Sequence, residues 1–163
     1  MPYLSNLDVR RLARKLHKDQ KDLGGEDYWW HLYRVADNLG RLWCNSSDVE
    51  LQAAILHDAI EDTEATEQFL LDKNVNPQVI EIVKLLTLPE TRDKNYLCYI
   101  QDIIDSGNVS AIKIKFCDNL DNADPFRPKK LDRKTLSYWQ DRYFPARLML
   151  CKAILDLDVN YDR

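Results

Sequence analysis

Apolar residues recur every three to four positions along most of the chain, which is the spacing of one face of an α-helix. In the first such segment these residues are Val9, Leu12, Ala13 and Leu16. Ser47 is followed three positions later by Glu50, a pair that is typical of a capping box at a helix start. The same pattern predicts helices at about 28–42, 64–73, 77–87 and 94–106.

The remaining segments are less regular. Residues 112–116 alternate between apolar and charged side chains, which suits a strand, but their apolar residues also share a helical face with Val109 and Leu120. A lone strand would have no partner, so we predict a helix. Pro145 is expected to interrupt the last helix, because proline lacks an amide hydrogen and disfavours helix before it. With only 4 glycines in the chain, we predict an all-α helical bundle forming a single domain over residues 1–163.

The composition argues against several classes of partner. Asp and Glu number 27 against 23 Lys and Arg, and this net charge of −4 disfavours nucleic acid as a bulk partner. No apolar run approaches the roughly 18 residues of a membrane span, and the N-terminus lacks a signal-peptide pattern. The 4 cysteines lie in apolar settings without close spacing, so we expect buried thiols in a cytoplasmic protein. The oligomeric state stays open.

The residues that could carry chemistry concentrate in the segment AAILHDAIEDT. On a continuous helix His57 shares a face with Glu61, and Asp58 shares a face with Asp62. One imidazole and three carboxylates would then lie within about 10 Å. Three acids so close cost free energy unless a cation or a shared proton compensates, and divalent metal ions use these ligand types. The alternative is a group of solvated acids at a helix end, which the helix dipole slightly disfavours.

Two further residues could join this group. His31 lies in the apolar segment WWHLYRVA, and Asp118 follows Phe116 and Cys117. Taken singly, such a histidine is more often a hydrogen-bonded core residue, and such an aspartate is more often a helix cap or an ion-pair partner.

The order His, His-Asp, Asp resembles the HD-domain metal-dependent phosphohydrolases, an all-α superfamily. Among them the chain is most similar to the small stand-alone RelA/SpoT-type alarmone hydrolases, over roughly residues 10–155. The matching segments are residues 17–20 with AHxxQ, 25–36 with GEPYIxHPxxVA, 57–63 with HDxxEDT and 114–122 with (V/I)KLADRLHN.

The resemblance implies a metal-dependent phosphohydrolase that removes a 3′-pyrophosphate from a nucleotide of the (p)ppGpp type. One divalent metal ion, Mn²⁺ or a similar ion, would lower the pKa of a bound water and withdraw charge from a phosphoryl oxygen. Glu61 and Asp62 would orient the water and carry its proton as general base or acid. The implied metal ligands are His31, His57, Asp58 and Asp118.

Substrate contacts are expected from the helix that carries Asp118. Lys115 lies three residues before it and Asn122 four residues after it, so the three side chains can face one site. Lys115 would neutralise the leaving diphosphate, although a lysine extended along the surface is an equal alternative. Asn122 would hydrogen-bond ribose or phosphate.

The chain departs from the resembled family where the base is held. The family carries an Arg-Lys pair that helps to hold the guanine, and by spacing these positions are Asp22 and Leu23 here, with Lys21 as the nearby cation. Asn119 and Asp121 replace the Arg and His of the DRLHN stretch. We therefore expect weak discrimination between bases.

Two other functions stay open at this point. One is an HD-type hydrolase of another nucleotide or phosphoester, and the other is a non-enzymatic, antitoxin-like helical partner protein. A basic run at residues 127–134 is a solvated loop by default, and it would attract a polyphosphate if it folded over the site.

Overall fold

The computed structural model describes residues 2–22, 24–88, 96–124 and 133–161, the last range with side chains at position 137 and from 141 to 157. Within these ranges the chain is helical, and the only β-pairing is an isolated antiparallel bridge between Lys21 and Asp27. This confirms the all-α prediction. The helices are α1 Asn6–Leu16, α2 Trp29–Leu42, α3 Asp48–Leu56, α4 Ala59–Asp62, α5 Glu67–Asp72, α6 Pro77–Leu86, α7 Tyr96–Asp105, α8 Val109–Asn122 and α9 Arg133–Tyr161.

Short polar side chains begin several of the helices. Ser5 accepts a hydrogen bond from the Asp8 amide at the start of α1. At α3 both bonds of the predicted capping box are present, since Ser47 accepts from the Glu50 amide and Glu50 accepts from the Ser47 amide. Such caps satisfy amide groups that have no partner inside the helix, and each contributes about 1 kcal/mol.

The α8 helix lies at the centre of the bundle, where it packs against α2, α3, α6, α7 and α9. Ile112 and Ile114 are both fully buried, although they point to different sides of the helix. Contact with neighbours on most sides therefore explains the alternating pattern of this segment, and the prediction of a helix is confirmed. The same position brings Lys115 and Asp118 into the interior.

The prediction of one continuous helix through the HDAIED segment is wrong. The α3 helix ends at Leu56, residues 57–58 form a turn, and α4 begins at Ala59. Asp58 has φ −99° and ψ 2°, outside helical values. The turn lets His57 and Asp58 point toward α2 and α8 instead of continuing along α3.

The predicted interruption at Pro145 is also wrong, because α9 continues through this residue. Contacts with α8 support this part of α9. Asn119 donates through Nδ2 to the carbonyl of Tyr143 at 3.0 Å, and its Oδ1 accepts from Arg147 Nε at 3.1 Å. Tertiary packing on both sides of the proline outweighs its local preference.

The cysteine prediction holds only in part. Cys117 is buried, and burial raises the pKa of its thiol to about 12. Cys44 and Cys98 are exposed, contrary to expectation. In the part of the chain that the structure describes, none of the helices combines the length and apolar character needed to cross a membrane.

Candidate metal centre

Two helices and one turn bring four predicted ligands together. His31 comes from α2, His57 and Asp58 from the turn after α3, and Asp118 from α8. Asp118 Oδ1 lies 3.2 Å from His31 Nε2 and 3.6 Å from His57 Nε2. Asp58 Oδ2 lies 3.0 Å from His57 Nε2 and 3.7 Å from His31 Nε2. The two imidazoles and two carboxylates therefore face one common point.

The orientation of each imidazole is fixed from behind. His57 Nδ1 lies 2.8 Å from the carbonyl of Ala54, so this nitrogen carries the hydrogen and Nε2 faces the carboxylates. His31 Nδ1 lies 2.6 Å from Asp121 Oδ2, with the same consequence. His57 is buried, and its Nε2 faces the carboxylates of Asp58 and Asp118.

The charges around the site favour ionised carboxylates. Burial alone would lower the pKa of His57, but the charge of Asp58 raises it well above its ordinary value, and a hydrogen bond with Asp118 raises that of His31. Burial would raise the pKa of Asp118, yet the charge of Lys115 and the two imidazoles hold it well below its ordinary range. Protons and a metal ion therefore compete for the same imidazole nitrogens.

The donor set fits a divalent metal ion. One ligand atom from each of His31, His57 and Asp118 lies within 4.8 Å of the others, and all three residues are buried. Asp58 adds a second carboxylate beside them. Two buried carboxylates that face the lone pairs of neutral imidazoles are costly without a cation, and nitrogen with oxygen donors suits transition metals better than Mg²⁺.

The two carboxylates are themselves held by neighbours. Tyr28 donates through its hydroxyl to Asp58 Oδ2 at 2.7 Å. Asn122 donates through Nδ2 to Asp118 Oδ1 at 2.6 Å, and Lys115 Nζ lies 2.8 Å from Asp118 Oδ2. Lys115 is buried, so it points inward from α8 and does not extend along the surface. Lys115 and Asn122 thus share one face with Asp118, as their spacing predicts.

The two predicted proton-transfer residues lie on α4 at the rim of the same cavity. Glu61 Oε2 accepts from the Leu88 amide at 2.8 Å. Loss of solvent around its carboxyl raises the pKa of Glu61 above the ordinary value. Asp62 Oδ2 accepts from Gln20 Nε2 at 2.8 Å, and Gln20 Oε1 in turn lies 2.6 Å from His17 Nδ1. Helix α1 and its C-terminal turn therefore hold Asp62 in place.

The cavity over these residues is small and polar, with a volume of about 130 Å³. Besides the acids, its lining includes two cations, Lys115 and Arg142. The guanidinium carbon of Arg142 lies 4.2 Å from the Tyr96 ring centroid, and Lys115 Nζ lies 5.0 Å from that of Tyr99. Cations held against aromatic rings beside a group of carboxylates suit an anionic ligand that a metal ion also binds.

The residues expected to read the base lie elsewhere. Lys21 forms an ion pair with Asp27 in an exposed turn and does not line the cavity. Asp22 Oδ1 accepts from the amides of Gly24 and Glu26 at 2.8 and 2.9 Å, so its carboxylate orders this turn. Leu23 and residues 125–132 of the basic loop lie outside the described residues, and nothing is described of the Arg133 and Lys134 side chains.

Sequence reasoning missed three contributors to the site. Asp121 contacts His31, Tyr28 contacts Asp58, and Arg142 lines the cavity. The signal for Asp121 was its position three residues after Asp118 on a helix, which places both on adjoining sides. Tyr28 falls on the Tyr of the GEPYIxHPxxVA segment, although that match assigns it no contact, and no local pattern marks Arg142.

The helical fold and the buried cluster of imidazoles and carboxylates together define an all-α protein with a divalent-metal site. The sequence profile of the HD domain matches residues 10–95, just over half of the 163 residues. The chain belongs to the HD-domain family.

Two relatives are named as hydrolases. A probable guanosine-3′,5′-bis(diphosphate) 3′-pyrophosphohydrolase of Mycoplasma pneumoniae is 30% identical over 122 residues, 68% of this chain but 16% of the relative. The protein of the same description from Mycoplasma genitalium is 28% identical over 124 residues, 68% of this chain and 17% of that one. The chain thus spans about a sixth of the length of these relatives.

A solved structure of a metazoan ortholog of SpoT, described as hydrolysing ppGpp and playing a role in starvation responses, has the same fold. The TM-score is 0.74 at 23% identity, over 96% of this chain and 97% of that one.

Proposed function

We propose that the protein is a Mn²⁺-dependent hydrolase that removes the 3′-pyrophosphate from a nucleotide of the (p)ppGpp type. The observation that carries this proposal is the cluster of two imidazoles and two carboxylates beside a small polar cavity, which is lined by both carboxylates and by two cations. The described relatives are named as probable hydrolases of this substrate class, and the HD-domain profile matches residues 10–95, which include His31, His57 and Asp58.

The residues that would hold the ion are His31, His57, Asp58 and Asp118. Two neutral imidazoles and two carboxylates favour Mn²⁺ or a similar ion, because Mg²⁺ prefers oxygen ligands alone and retains several waters. When bound, the ion would supply Lewis-acid chemistry toward water and a phosphoryl oxygen. The two carboxylates leave the site close to electroneutral once the ion is present, which offsets the cost of their burial.

The reaction adds water to the phosphorus next to the ribose 3′ oxygen and breaks that P–O bond, giving the 3′-hydroxyl and diphosphate. Glu61 accepts the proton that the water loses, because its raised pKa matches a group that both takes up and returns a proton. The same proton can then pass to the ribose oxygen as it leaves. Asp62, fixed by Gln20, orients the water.

The cations and the size of the cavity determine how the substrate lies. A volume of about 130 Å³ is well below the roughly 300–1,000 Å³ of sites that enclose a small molecule, so the cavity takes the diphosphate and not the nucleoside. Arg142 and Lys115, which also contacts Asp118, neutralise the diphosphate oxygens. The nucleoside lies over the open side, beyond the tyrosines that line it.

The decisive experiment is hydrolysis of guanosine 3′,5′-bis(diphosphate) by the Mn²⁺-loaded protein in ¹⁸O-labelled water. We expect guanosine diphosphate and diphosphate in equal amounts, with the label in the diphosphate. The His57→Ala variant serves as the inactive control. Release of orthophosphate would favour another HD-type hydrolase. So would hydrolysis of simple phosphoesters without turnover of guanosine or adenosine 3′-diphosphates.

A further inference from the structure

The two histidines of the site are oriented by chemically different groups. His57 Nδ1 contacts a neutral backbone carbonyl, that of Ala54, at 2.8 Å. His31 Nδ1 contacts a carboxylate, Asp121 Oδ2, at 2.6 Å, and the Asp121 side chain is only 3% exposed. A carboxylate behind a ligand histidine fixes its tautomer and makes the opposite nitrogen a stronger donor to a metal.

A second residue compensates the buried charge of Asp121. Arg34 Nε lies 2.7 Å from Asp121 Oδ1, and Arg34 Nη2 lies 3.3 Å from Oδ2, so the guanidinium engages both oxygens. Asp22 and Glu26 lie 4.0 and 3.9 Å from the same guanidinium. A planar guanidinium that engages both oxygens also fixes the plane of the carboxylate.

The pair also links the two helices that carry metal ligands. Arg34 lies three residues after His31 on α2, and Asp121 lies three residues after Asp118 on α8. Ligand and support therefore occupy adjoining sides of each helix. The Arg34–Asp121 ion pair connects α2 to α8 directly behind the cluster, on the side away from the cavity.

We propose that Asp121 is a positioning residue that holds His31 Nε2 toward the metal ion and strengthens its donation, with Arg34 holding Asp121 in place. This inference rests on the metal ligands of the proposed function. It assigns a role to a position at which the chain differs from the HDxxEDT-type hydrolases that it resembles, since Asp121 stands where their DRLHN stretch has His.

The test is the Mn²⁺ affinity of the full chain, measured by competition with a chelating dye, in the wild type and in Asp121→Asn. The amide keeps the shape but removes the charge, so we expect affinity to fall about 10–100-fold. Asp37→Asn is the matched control, since it makes the same change on α2 in an exposed pair with Arg10 and should leave affinity unaltered.

A spectroscopic readout separates positioning from a merely structural role. In the Co²⁺-loaded protein the visible bands of the ion should shift in Asp121→Asn but not in Asp37→Asn. In the Zn²⁺-loaded wild type, long-range ¹H–¹⁵N spectra should show the His31 hydrogen on Nδ1. The proposal would be overturned if Asp121→Asn lowered the melting temperature but left the Mn²⁺ affinity and the Co²⁺ bands unchanged. It would also be overturned if the His31 hydrogen lay on Nε2 in the Zn²⁺-loaded wild type.

Arg34→Lys keeps the test open if Asp121→Asn does not fold. It retains a cation but loses the two-bond geometry, and Arg34 is partly exposed, so the variant should fold and bind Mn²⁺ about 3–10-fold more weakly. Unchanged affinity in Arg34→Lys would refute the role of the pair. A wild type that binds no Mn²⁺ would refute the proposed function as well, whereas tight binding and turnover that persist in Asp121→Asn would refute this inference alone.

Discussion

Lys115 Nζ lies 2.8 Å from Asp118 Oδ2, while the other oxygen of the same carboxylate lies 3.2 Å from His31 Nε2. One buried carboxylate thus joins a cation that faces the cavity to an imidazole of the metal cluster. The two residues are three positions apart on α8, so a single helical turn couples the metal centre to the region where the diphosphate is expected.

Asp118→Ala should abolish both metal binding and turnover. The change removes one ligand and leaves the buried Lys115 without the carboxylate that it faces, so the free energy of unfolding should also fall by about 3–5 kcal/mol. Metal content by elemental analysis and urea unfolding check the two effects. Asp72→Ala, at the exposed end of α5, should change neither, and full metal content in Asp118→Ala would refute its role as a ligand.

Adding Mn²⁺ to metal-free protein should stabilise it. An ion at 100 times its dissociation constant contributes about 2.7 kcal/mol, which corresponds to a rise in melting temperature of roughly 5–10 °C for a chain of this size. The measurement is thermal unfolding followed by circular dichroism, with and without chelator. His57→Ala should show no such rise, and a wild type whose melting temperature ignores Mn²⁺ would contradict the site.

Glu61→Gln should retain the metal ion but lose turnover. The amide still accepts the hydrogen bond from the Leu88 amide, yet it cannot take a proton, so kcat should fall about 10²–10⁴-fold. We would measure kcat together with metal occupancy. Glu64→Gln makes the same change on a neighbouring exposed acid that does not line the cavity. Loss of metal in Glu61→Gln would place Glu61 among the ligands.

Lys115→Met should weaken substrate binding while the metal ion stays bound. The methionine fills similar space without the charge, and one lost charged contact is worth about 1.5–3 kcal/mol, or roughly 10–100-fold in kcat/KM. Lys113→Met is the matched control, because Lys113 lies on the opposite side of α8 against the Trp43 ring. Steady-state kinetics measures kcat and KM separately. If both stayed at the wild-type level in Lys115→Met, this role of Lys115 would be contradicted.

The helices and the acids around His57 could be predicted from the sequence because their signals are local, whereas His31 and Asp118 joined this group only through the resemblance to a known family. The capping residues at Ser47, the helical spacing in α8 and the acids around His57 each depend on a few neighbouring positions. The continuous helix through His57 and the interruption at Pro145 were wrong for the opposite reason. Contacts with distant helices determine the backbone conformation at these two positions, and local helix propensity does not reflect such contacts.

The support of the site was less predictable than the site itself. Asp121 appeared only as a replacement in a motif, and its contact with His31 joins residues 90 positions apart. The same holds for Tyr28, whose hydroxyl reaches Asp58 across 30 positions. Neither the residue type nor the spacing of these two residues indicates that they support a metal ligand. The packing of α2 against α8 and of α2 against α3 reveals these contacts.

The last prediction concerns the base. Lys21 is paired with Asp27, and the Asp22 carboxylate accepts two backbone amides, so neither is placed to hold a guanine over the cavity. In the proposed binding mode only the diphosphate enters the cavity, and neither Lys21 nor Asp22 is among the residues that line it.

The ratio of kcat/KM between guanosine and adenosine 3′,5′-bis(diphosphates) should therefore lie below about 100-fold, because one lost charged contact already accounts for a factor of 10–100. Asp22→Asn should lower stability through its turn without altering this ratio. Competition between the two nucleotides in one reaction measures the ratio directly. Guanine selectivity above about 100-fold would show that a base-reading residue outside residues 21–22 acts in this chain.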